Sequence, residues 1–286
     1  MMIFDKHDHP TRRQMLKAGA AGVSGLGIAA TWSSSTLGAG PGSEGTKKIR
    51  YSDLLPHELR QKLDEKPLAY LPLGTLEQHG PHLALGADAI QSEALMLDLA
   101  RRHGGVVFPP IHISPGPPTL IYEGPLPVRM DFWDIVYDPA TNVGGDTYWI
   151  PDILYGAVID GMLAHCKRVG FRAVFADGHG PSRREWVREL KRREDHFGLK
   201  LFGVTTGLLK QWKSQTDHAA RNETSLMLHH CPDLVDMSRL PKSRADWPVG
   251  VGRGGEDPRD ASAEYGRQCT EASLEVMIKM FRDAGI

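Results

Sequence analysis

The sequence predicts an α/β fold with a mainly parallel sheet. Short apolar segments alternate along the chain with longer segments in which apolar residues recur at helical spacing. This order is typical of strands joined by crossover helices. Polar loops that contain histidine and acidic residues directly follow two of the apolar segments. In a parallel sheet such loops lie at the carboxyl ends of the strands, where ligands bind.

Local sequence accounts for each element in the first half of the chain. Residues 68–74 are apolar and end in glycine, which predicts a buried strand. Residues 88–103 predict a helix that Gly104 terminates. Another strand is predicted from residue 105. Residues 113–145 are rich in proline, glycine and aromatic residues, which indicates a long irregular loop of the kind that is often functional.

The second half of the chain continues the alternation. Asp217 is a plausible cap for the helix that follows it. No segment beyond the N-terminal region is apolar for long enough to span a membrane. Helices are predicted at residues 151–169, 181–197, 217–230 and 261–285, and strands at residues 171–178 and 199–207.

The composition narrows the classes of function. The 286 residues include 34 Lys+Arg and 35 Asp+Glu, and the resulting net charge of -1 gives no electrostatic basis for binding nucleic acid or an anionic membrane. The cysteines Cys166, Cys231 and Cys269 are far apart, which argues against a thiolate metal site and against a disulfide scaffold. A single disulfide between two of them remains an alternative. The favoured interpretation is that these cysteines act as small buried hydrophobic residues.

Residues 1–40 have the organisation of a bacterial export signal. Arg12 and Arg13 precede a short, glycine-rich and mildly apolar run at residues 18–30, which is too short for a spanning helix. The pattern resembles a twin-arginine signal, and the alternative is a disordered tail with a chance arginine pair. Such a signal predicts export of the folded chain by the twin-arginine (Tat) translocase, a periplasmic or otherwise exported location, and no stable membrane anchor. The rest of the chain, residues 45–286, is predicted to form a single domain.

Histidine and acidic residues from several elements are candidate metal ligands. Glu77 and His79 follow the first strand, and Asp88 lies at or near the N-cap of the next helix. His179 follows another strand, between glycines that would let the backbone approach an ion or substrate closely, and Glu223 lies on a later helix. Imidazole and carboxylate groups suit Zn²⁺ or Mn²⁺, and a bridging carboxylate could hold two ions about 3.5–4 Å apart. Each residue taken alone is more often solvated or structurally satisfied.

Three segments resemble the motifs of the creatininase (creatinine amidohydrolase) family. They are LPLGTLEQHGPHLALGAD, ADGHG and HAARNETSLML, and they occur in the family's order within residues 50–235. The resemblance implies a three-layer α/β/α sandwich and a divalent metal pair, with Fe a further candidate beside Zn and Mn. It also implies hydrolysis of a non-peptide C–N bond in a small molecule, and a homo-oligomer, since hexamers are common among relatives.

The resemblance assigns roles to single residues. His218 corresponds to the family's acid/base histidine, and His82 becomes a neighbour of the site. Glu223 is implied as a catalytic carboxylate or a further metal ligand. The implied metal ligands are Glu77, His79, Asp88 and His179, with Asp88 as the bridge.

The sequence also departs from the family pattern. Pro181 stands where creatininase has a metal-binding glutamate, so either Glu223 supplies that ligand or the second metal is weak or absent. Asp177 replaces the usual asparagine of the second motif. The family's middle segment is not recognisable, and residues 113–145 stand in its place, where they are expected to shape the substrate pocket.

Three hypotheses about function follow. The leading one is an exported metal-dependent amidohydrolase that cleaves a cyclic amide or formamide by metal-activated water, with His218 moving the proton to the leaving nitrogen. The second is a non-catalytic metal-binding member of the family. The third is a hydrolase of lactones or sugar derivatives that uses the same site.

Overall fold

A four-stranded parallel sheet organises the part of the chain that the computed structural model describes, residues 48–116 and 148–286. The strands are β1 (Leu68–Leu73), β2 (Val106–Val107), β3 (Ser114–Gly116), β4 (Trp149–Pro151), β5 (Ala173–Gly178) and β6 (Lys200–Phe202). The main sheet has the order β2-β1-β5-β6, and every pairing in it is parallel. Strands β3 and β4 form a separate parallel pair.

Helices cover both faces of the main sheet. They are α1 (Pro56–Glu65), α2 (Ala87–His103), α3 (Asp152–Val169), α4 (Gly180–Phe197), α5 (Arg221–His230) and α6 (Ala263–Asp283). On one face, Leu68 and Tyr70 of β1 pack with apolar residues of α2 and α6. On the other face, Ala69 and Leu71 pack with apolar residues of α3 and α4. Because alternate residues of β1 serve opposite cores, the strand is buried on both sides and the predicted three-layer α/β/α sandwich is confirmed.

The ends of β1 and β5 lie level at one edge of the sheet. Their register pairs Leu73 with Gly178, so the loops that leave both strands start side by side. Gly178 has φ 146°, and a Cβ at this position would lie 1.7 Å from the carbonyl oxygen of Leu73. Glycine is therefore required here for the close contact between the two strands.

Several predicted boundaries need correction. The strand predicted from residue 105 is short, because Pro109 and Pro110 cannot donate to a ladder. Strand β3 lies in the segment that was predicted to be irregular, and residues 117–147 of that segment lie outside the described residues. The helix predicted from Asp217 begins four residues later, at Arg221.

Asp217 nevertheless caps α5 from outside the helix. Its carboxylate accepts hydrogen bonds from the backbone N–H groups of Asn222 (2.8 Å) and Glu223 (3.1 Å). The chain does not form helix before Arg221, because Ala219 adopts a left-handed φ of 53°. The predicted cap is thus confirmed as a hydrogen-bond acceptor, whereas its place at the helix boundary was wrong.

The remaining predictions about the chain have mixed outcomes. Cys166, Cys231 and Cys269 are free thiols, and the first and last are buried, which agrees with the favoured interpretation. Among the described residues, no helix is both long and apolar enough to cross a membrane. The predicted export signal at residues 1–40 lies outside the described residues.

Candidate metal centre

The loop after β1 folds tightly against the start of α2. A Cβ at Gly74 would lie 2.4 Å from the Cβ of Ala89, so only glycine allows the strand end and the helix to approach this closely. The backbone N–H of Glu77 donates to the carbonyl of Leu85 (2.8 Å), which closes the loop on itself. As a result Glu77 and the first turn of α2, which contains Asp88, lie at the same place.

The first group of candidate ligands joins both strand-end loops. The Nε2 atom of His179 lies 3.1 Å from Oε2 of Glu77. These two side chains and Asp88 are buried, and each offers a ligand atom within 4.8 Å of the others. The polar segments that follow β1 (residues 77–80) and end β5 (residues 177–180) therefore meet at one edge of the sheet, as the sequence predicted.

The second group joins the β1 loop to α5. The Nε2 atom of His79 lies 3.5 Å from Oδ2 of Asp88 and 3.4 Å from Oε2 of Glu223. The Nδ1 atom of His79 lies 3.1 Å from the carbonyl of Glu77, and because a carbonyl only accepts, Nδ1 carries the proton. Nε2 faces the two carboxylates, and when this nitrogen loses its proton the ring is the tautomer that a metal-ligating histidine needs.

The donor atoms of the two groups suit divalent cations. Oε2 of Glu77, Nε2 of His79 and Oδ2 of Asp88 are buried and have no hydrogen-bond partner. Buried polar atoms without a partner are costly, so three of them close to one another fit a binding site for a cation. Since Asp88 belongs to both groups, the arrangement fits two ions that share one bridging carboxylate.

The charges of the centre interact strongly. Burial opposes ionisation of Asp88, but the neighbouring His79 outweighs it and holds the pKa of Asp88 below its usual value. Burial opposes protonation of His79, but the carboxylates of Asp88 and Glu223 raise its pKa well above normal. Burial raises the pKa of Glu223 well above its usual value. Without a cation, protons occupy part of the centre, so metal binding and proton release are coupled.

His218 lies beside the two groups in a form that can accept a proton. Its ring centroid is 4.4 Å from that of His79, and its Nε2 donates to the carbonyl of Gln78 (3.2 Å). Burial, with help from the neighbouring His79, lowers the pKa of His218 to about 4. The ring is therefore neutral near pH 7, with Nδ1 as the unprotonated nitrogen. His218 could also complete a third group with Glu77 and His79.

Glu223 lies in the second group of candidate ligands, with His79 and Asp88. Pro181 lies in the first turn of α4 and offers no ligand atom, whereas Oε2 of Glu223 lies next to His79 and accepts a hydrogen bond from the backbone of Ala219 (2.8 Å). His82 belongs to none of the groups among the described residues, and its Nε2 pairs with Oγ1 of Thr224 at 2.8 Å. Glu223 thus contacts the candidate ligand His79, and His82 lies beside the centre.

A cavity of about 650 Å³ opens onto the centre. It is lined by side chains of both groups, by His218, and by residues of α4 that include Arg184 and Val187. These α4 residues lie on the side of the helix that faces the cavity. The many charged residues of this helix did not predict such a contact. The volume is sufficient for a small-molecule substrate.

Sequence reasoning missed two further residues at this cavity. Arg183 is buried and binds Asp177, and Gln215 donates from Nε2 to the backbone carbonyl of Asp88 (3.1 Å). The one signal for Arg183 was the unusual aspartate in the "ADGHG" motif, which creates a buried charge that needs a partner. Gln215 gave no signal in the sequence.

The fold and the centre together define an α/β protein with a buried histidine–carboxylate site that suits divalent metals. The family model described as "Creatininase: Creatinine amidohydrolase" matches residues 52–131 and 139–281. The chain belongs to the creatininase family.

Named relatives and solved structures agree with this family. The chain is 27% identical to the mycofactocin precursor peptide peptidase of Mycobacterium ulcerans (strain Agy99) over 63% of this chain and 64% of that protein. It is 27% identical to the creatinine amidohydrolase of Pseudomonas putida over 59% of this chain and 66% of that protein. The matches thus span slightly less than two thirds of each relative.

Solved structures of creatininase show the same fold. One matches with a TM-score of 0.61 at 19% identity and covers 84% of this chain and 98% of that chain. A manganese form of creatininase and a zinc–zinc form of a creatininase mutant match with a TM-score of 0.59 at 19% identity, each over 83% of this chain and 98% of the other.

Proposed function

We propose that the chain is an exported, metal-dependent amidohydrolase that cleaves a non-peptide C–N bond of the cyclic amide or formamide type by metal-activated water. The observation that carries this proposal is the pair of ligand groups that share Asp88 beside a neutral His218. Membership of the creatininase family and the manganese and zinc forms of a similar structure support a divalent metal, with Zn and Mn as the first candidates.

The proposed roles follow from the geometry. Asp88 joins the two groups, with Glu77 and His179 on one side and His79 and Glu223 on the other. When bound, the metal pair would polarise the carbonyl and lower the pKa of water. His218 takes a proton on Nδ1 from the attacking water and passes it to the leaving nitrogen of the cleaved C–N bond, while its Nε2–H bond to the carbonyl of Gln78 fixes the ring. The buried surroundings keep water from competing for these hydrogen bonds.

A non-catalytic metal-binding role is the alternative that Pro181 raises. A chain that lacked one ligand would bind one ion, or bind it weakly. Glu223 argues against this alternative, because its carboxylate lies 3.4 Å from His79 and belongs to the group of ligands that does not contain His179. The peptidase among the relatives and the possibility of lactone hydrolysis broaden the substrates that require testing.

The test combines metal analysis with a substrate panel. We expect about two tightly bound divalent ions per chain and turnover of at least one cyclic amide or formamide, in a panel that also contains lactones and short peptides. His218→Asn is expected to lower kcat by about 10²- to 10⁴-fold with unchanged metal content, because it removes the proton carrier. His196→Asn, at an exposed position on α4, serves as the control. Full metal loading without any turnover would favour the non-catalytic role.

Export and assembly are separate parts of the proposal. Residues 1–40 fused to a reporter protein are expected to direct it out of the bacterial cytoplasm through the Tat translocase, and replacement of both Arg12 and Arg13 by lysine is expected to stop this. Unchanged export in that variant would contradict the signal. A homo-oligomer is expected from the family resemblance, and light scattering of the purified chain measures it.

A further inference from the structure

A buried ion pair lies directly beside the candidate centre. Arg183 donates from Nε and Nη2 to the two carboxylate oxygens of Asp177, with 3.0 Å between Nη2 and Oδ2. Both side chains are buried. Asp177 stands where the family motif has asparagine, and an asparagine has one acceptor oxygen where this contact uses two. The aspartate and the arginine therefore form one unit, in which each needs the other.

Arg183 also binds the segment that leads to His218. Its Nη1 donates to the backbone carbonyl of Gln215 and its Nη2 to that of Ser214, each at 3.2 Å. Gln215 has φ 51°, a left-handed conformation that is unfavourable for a residue other than glycine. Such a backbone persists only where surrounding contacts fix it, and Arg183 supplies two of these contacts.

The segment that contains Gln215 contacts the candidate bridging residue and leads to the candidate proton carrier. The side-chain amide of Gln215 donates to the backbone carbonyl of Asp88, the candidate bridging residue (3.1 Å). Three residues after Gln215 comes His218, whose own carbonyl accepts from the backbone of Gly252 (2.8 Å). One guanidinium thus connects, through a single strained residue, to the candidate bridge and to the candidate proton carrier.

We propose that Arg183, oriented by Asp177, is a positioning residue that fixes residues 214–215 and thereby places His218 and Asp88 for the reaction. This inference rests on the proposed function, because it assigns Arg183 an effect on turnover. The planar guanidinium spans a carboxylate and two carbonyls at once, which the compact ammonium of lysine cannot do. Charge alone is therefore insufficient at this position.

The chain contains a matched control for this arginine. Arg259 also binds an aspartate through Nε and Nη2, at 2.8 Å each to Asp257, and donates from Nη1 to backbone carbonyls that include that of Pro241 (3.1 Å). It does not line the cavity. Arg259→Lys therefore removes the same kind of hydrogen-bond fork at a place outside the cavity.

The experiment compares Arg183→Lys with Arg259→Lys in the full, metal-loaded chain. We expect Arg183→Lys to lower kcat roughly 10- to 100-fold with KM and metal content close to those of the wild type. Arg259→Lys is expected to keep the wild-type kcat. Asp177→Asn, which keeps the side-chain shape, is expected to lower kcat in the same way but less, because one acceptor oxygen remains for Arg183.

Either of two results would overturn the proposal. One is a wild-type kcat in Arg183→Lys, and the other is an equal loss in both lysine variants. If the wild type hydrolyses nothing in the panel, the proposed function fails, and the positioning role is tested by NMR of the zinc-loaded chain. The imidazole Nε2–H of His218 should give a slowly exchanging signal that shifts or disappears in Arg183→Lys and not in Arg259→Lys. An unchanged signal in both would exclude positioning.

Discussion

Two buried charge clusters in this protein contain similar acidic groups but differ in how their charges meet. Arg193, on α4, is fully buried and donates to Glu185 of the same helix and to Asp160 of α3, with 2.8 Å from Nη1 to Glu185 and 2.8 Å from Nε to Asp160. In the candidate metal centre, by contrast, the closest contacts between His79 and its carboxylate neighbours are 3.4 and 3.5 Å, whereas His179 and Glu77 approach more closely, to 3.1 Å. The first cluster is closed by its own hydrogen bonds, whereas the second is held slightly open.

The unpartnered atoms explain this difference. Neither Glu185 nor Arg193 has a buried side-chain atom without a partner, but Glu77, His79 and Asp88 each have one. A closed ion pair stabilises the contact between two helices and needs nothing else. An open cluster of acids and imidazoles costs free energy until a cation joins it, and a fold keeps such a cluster where it serves binding or catalysis.

The largest expected effect comes from breaking the bridge of the open cluster. Asp88→Asn removes the carboxylate that both ligand groups share, so at least one ion should be lost. We expect kcat/KM on the best substrate to fall by about 10³-fold or more, since metal ions supply several kcal/mol of transition-state stabilisation. Plasma emission spectrometry measures the bound metal, and initial rates measure the activity.

The control for this change lies on the same helix. Asp98 is paired on the surface with Arg101, so Asp98→Asn should leave both metal content and activity unchanged. Two bound ions and normal activity in Asp88→Asn would show that Asp88 is not a bridging ligand.

Breaking the closed cluster should have the opposite signature. Arg193→Met leaves the carboxylate of Glu185 buried without its partner, and we expect the free energy of unfolding to fall by about 3–5 kcal/mol. The double change Arg193→Met with Glu185→Leu should recover most of this loss, because no charge is then buried. Urea titration followed by circular dichroism measures these values. Metal content and kcat per folded molecule should stay at wild-type levels.

The neighbouring arginine provides the comparison for the closed cluster. Arg192 also pairs with Asp160, but its side chain is 52% exposed, so Arg192→Met should cost at most about 1 kcal/mol. Loss of metal in Arg193→Met at temperatures where the chain is folded would contradict the separation of the two clusters.

The sequence was sufficient for those parts of the site that follow regular elements. The loops containing His79 and His179 were predicted to meet because each follows a strand, and β1 and β5 are neighbours in the sheet. The start of α2, which places Asp88, was predicted within one residue. These features depend on local patterns of apolar residues and on glycine positions, which a single sequence displays.

The segment before α5 could not be predicted in the same way. A helix starting at Asp217 would turn His218 and Glu223 about 140° apart, since an α-helix turns about 100° per residue. The actual segment is not helical until Arg221, and this lets both side chains face the cavity. Its course depends on left-handed φ angles at Gln215 and Ala219 and on hydrogen bonds from residues distant in sequence, and none of these produces a local pattern.

The smallest expected effect is a change in how the stability of the metal-free chain depends on pH. It comes from the carboxyl group of Glu223 in the open cluster. Burial holds the pKa of Glu223 well above its ordinary 4.5. At pH values between these two pKa values, Glu223 is ionised in the unfolded chain but protonated in the metal-free folded chain. The free energy of unfolding therefore falls as the pH rises. Glu223→Gln removes this dependence. We therefore expect the metal-free variant to gain in stability relative to the wild type as the pH increases from about 5 to 8.

Urea titrations in the presence of a chelator measure this difference, and Glu189→Gln is the control. Glu189 is partly exposed and paired with Arg192 and Arg188, whose hydrogen bonds lower its pKa, so its contribution to stability is lost only as the pH falls toward and below its ordinary value of 4.5. That variant should show no added slope above pH 5. With zinc present, the wild type should be more stable than Glu223→Gln, because the variant lacks a ligand and binds the stabilising ion less tightly. Stability could instead change with pH in the same way for the metal-free wild type and Glu223→Gln. Glu223 would then be ionised in the folded chain, and the open cluster would be no more strained than the closed one.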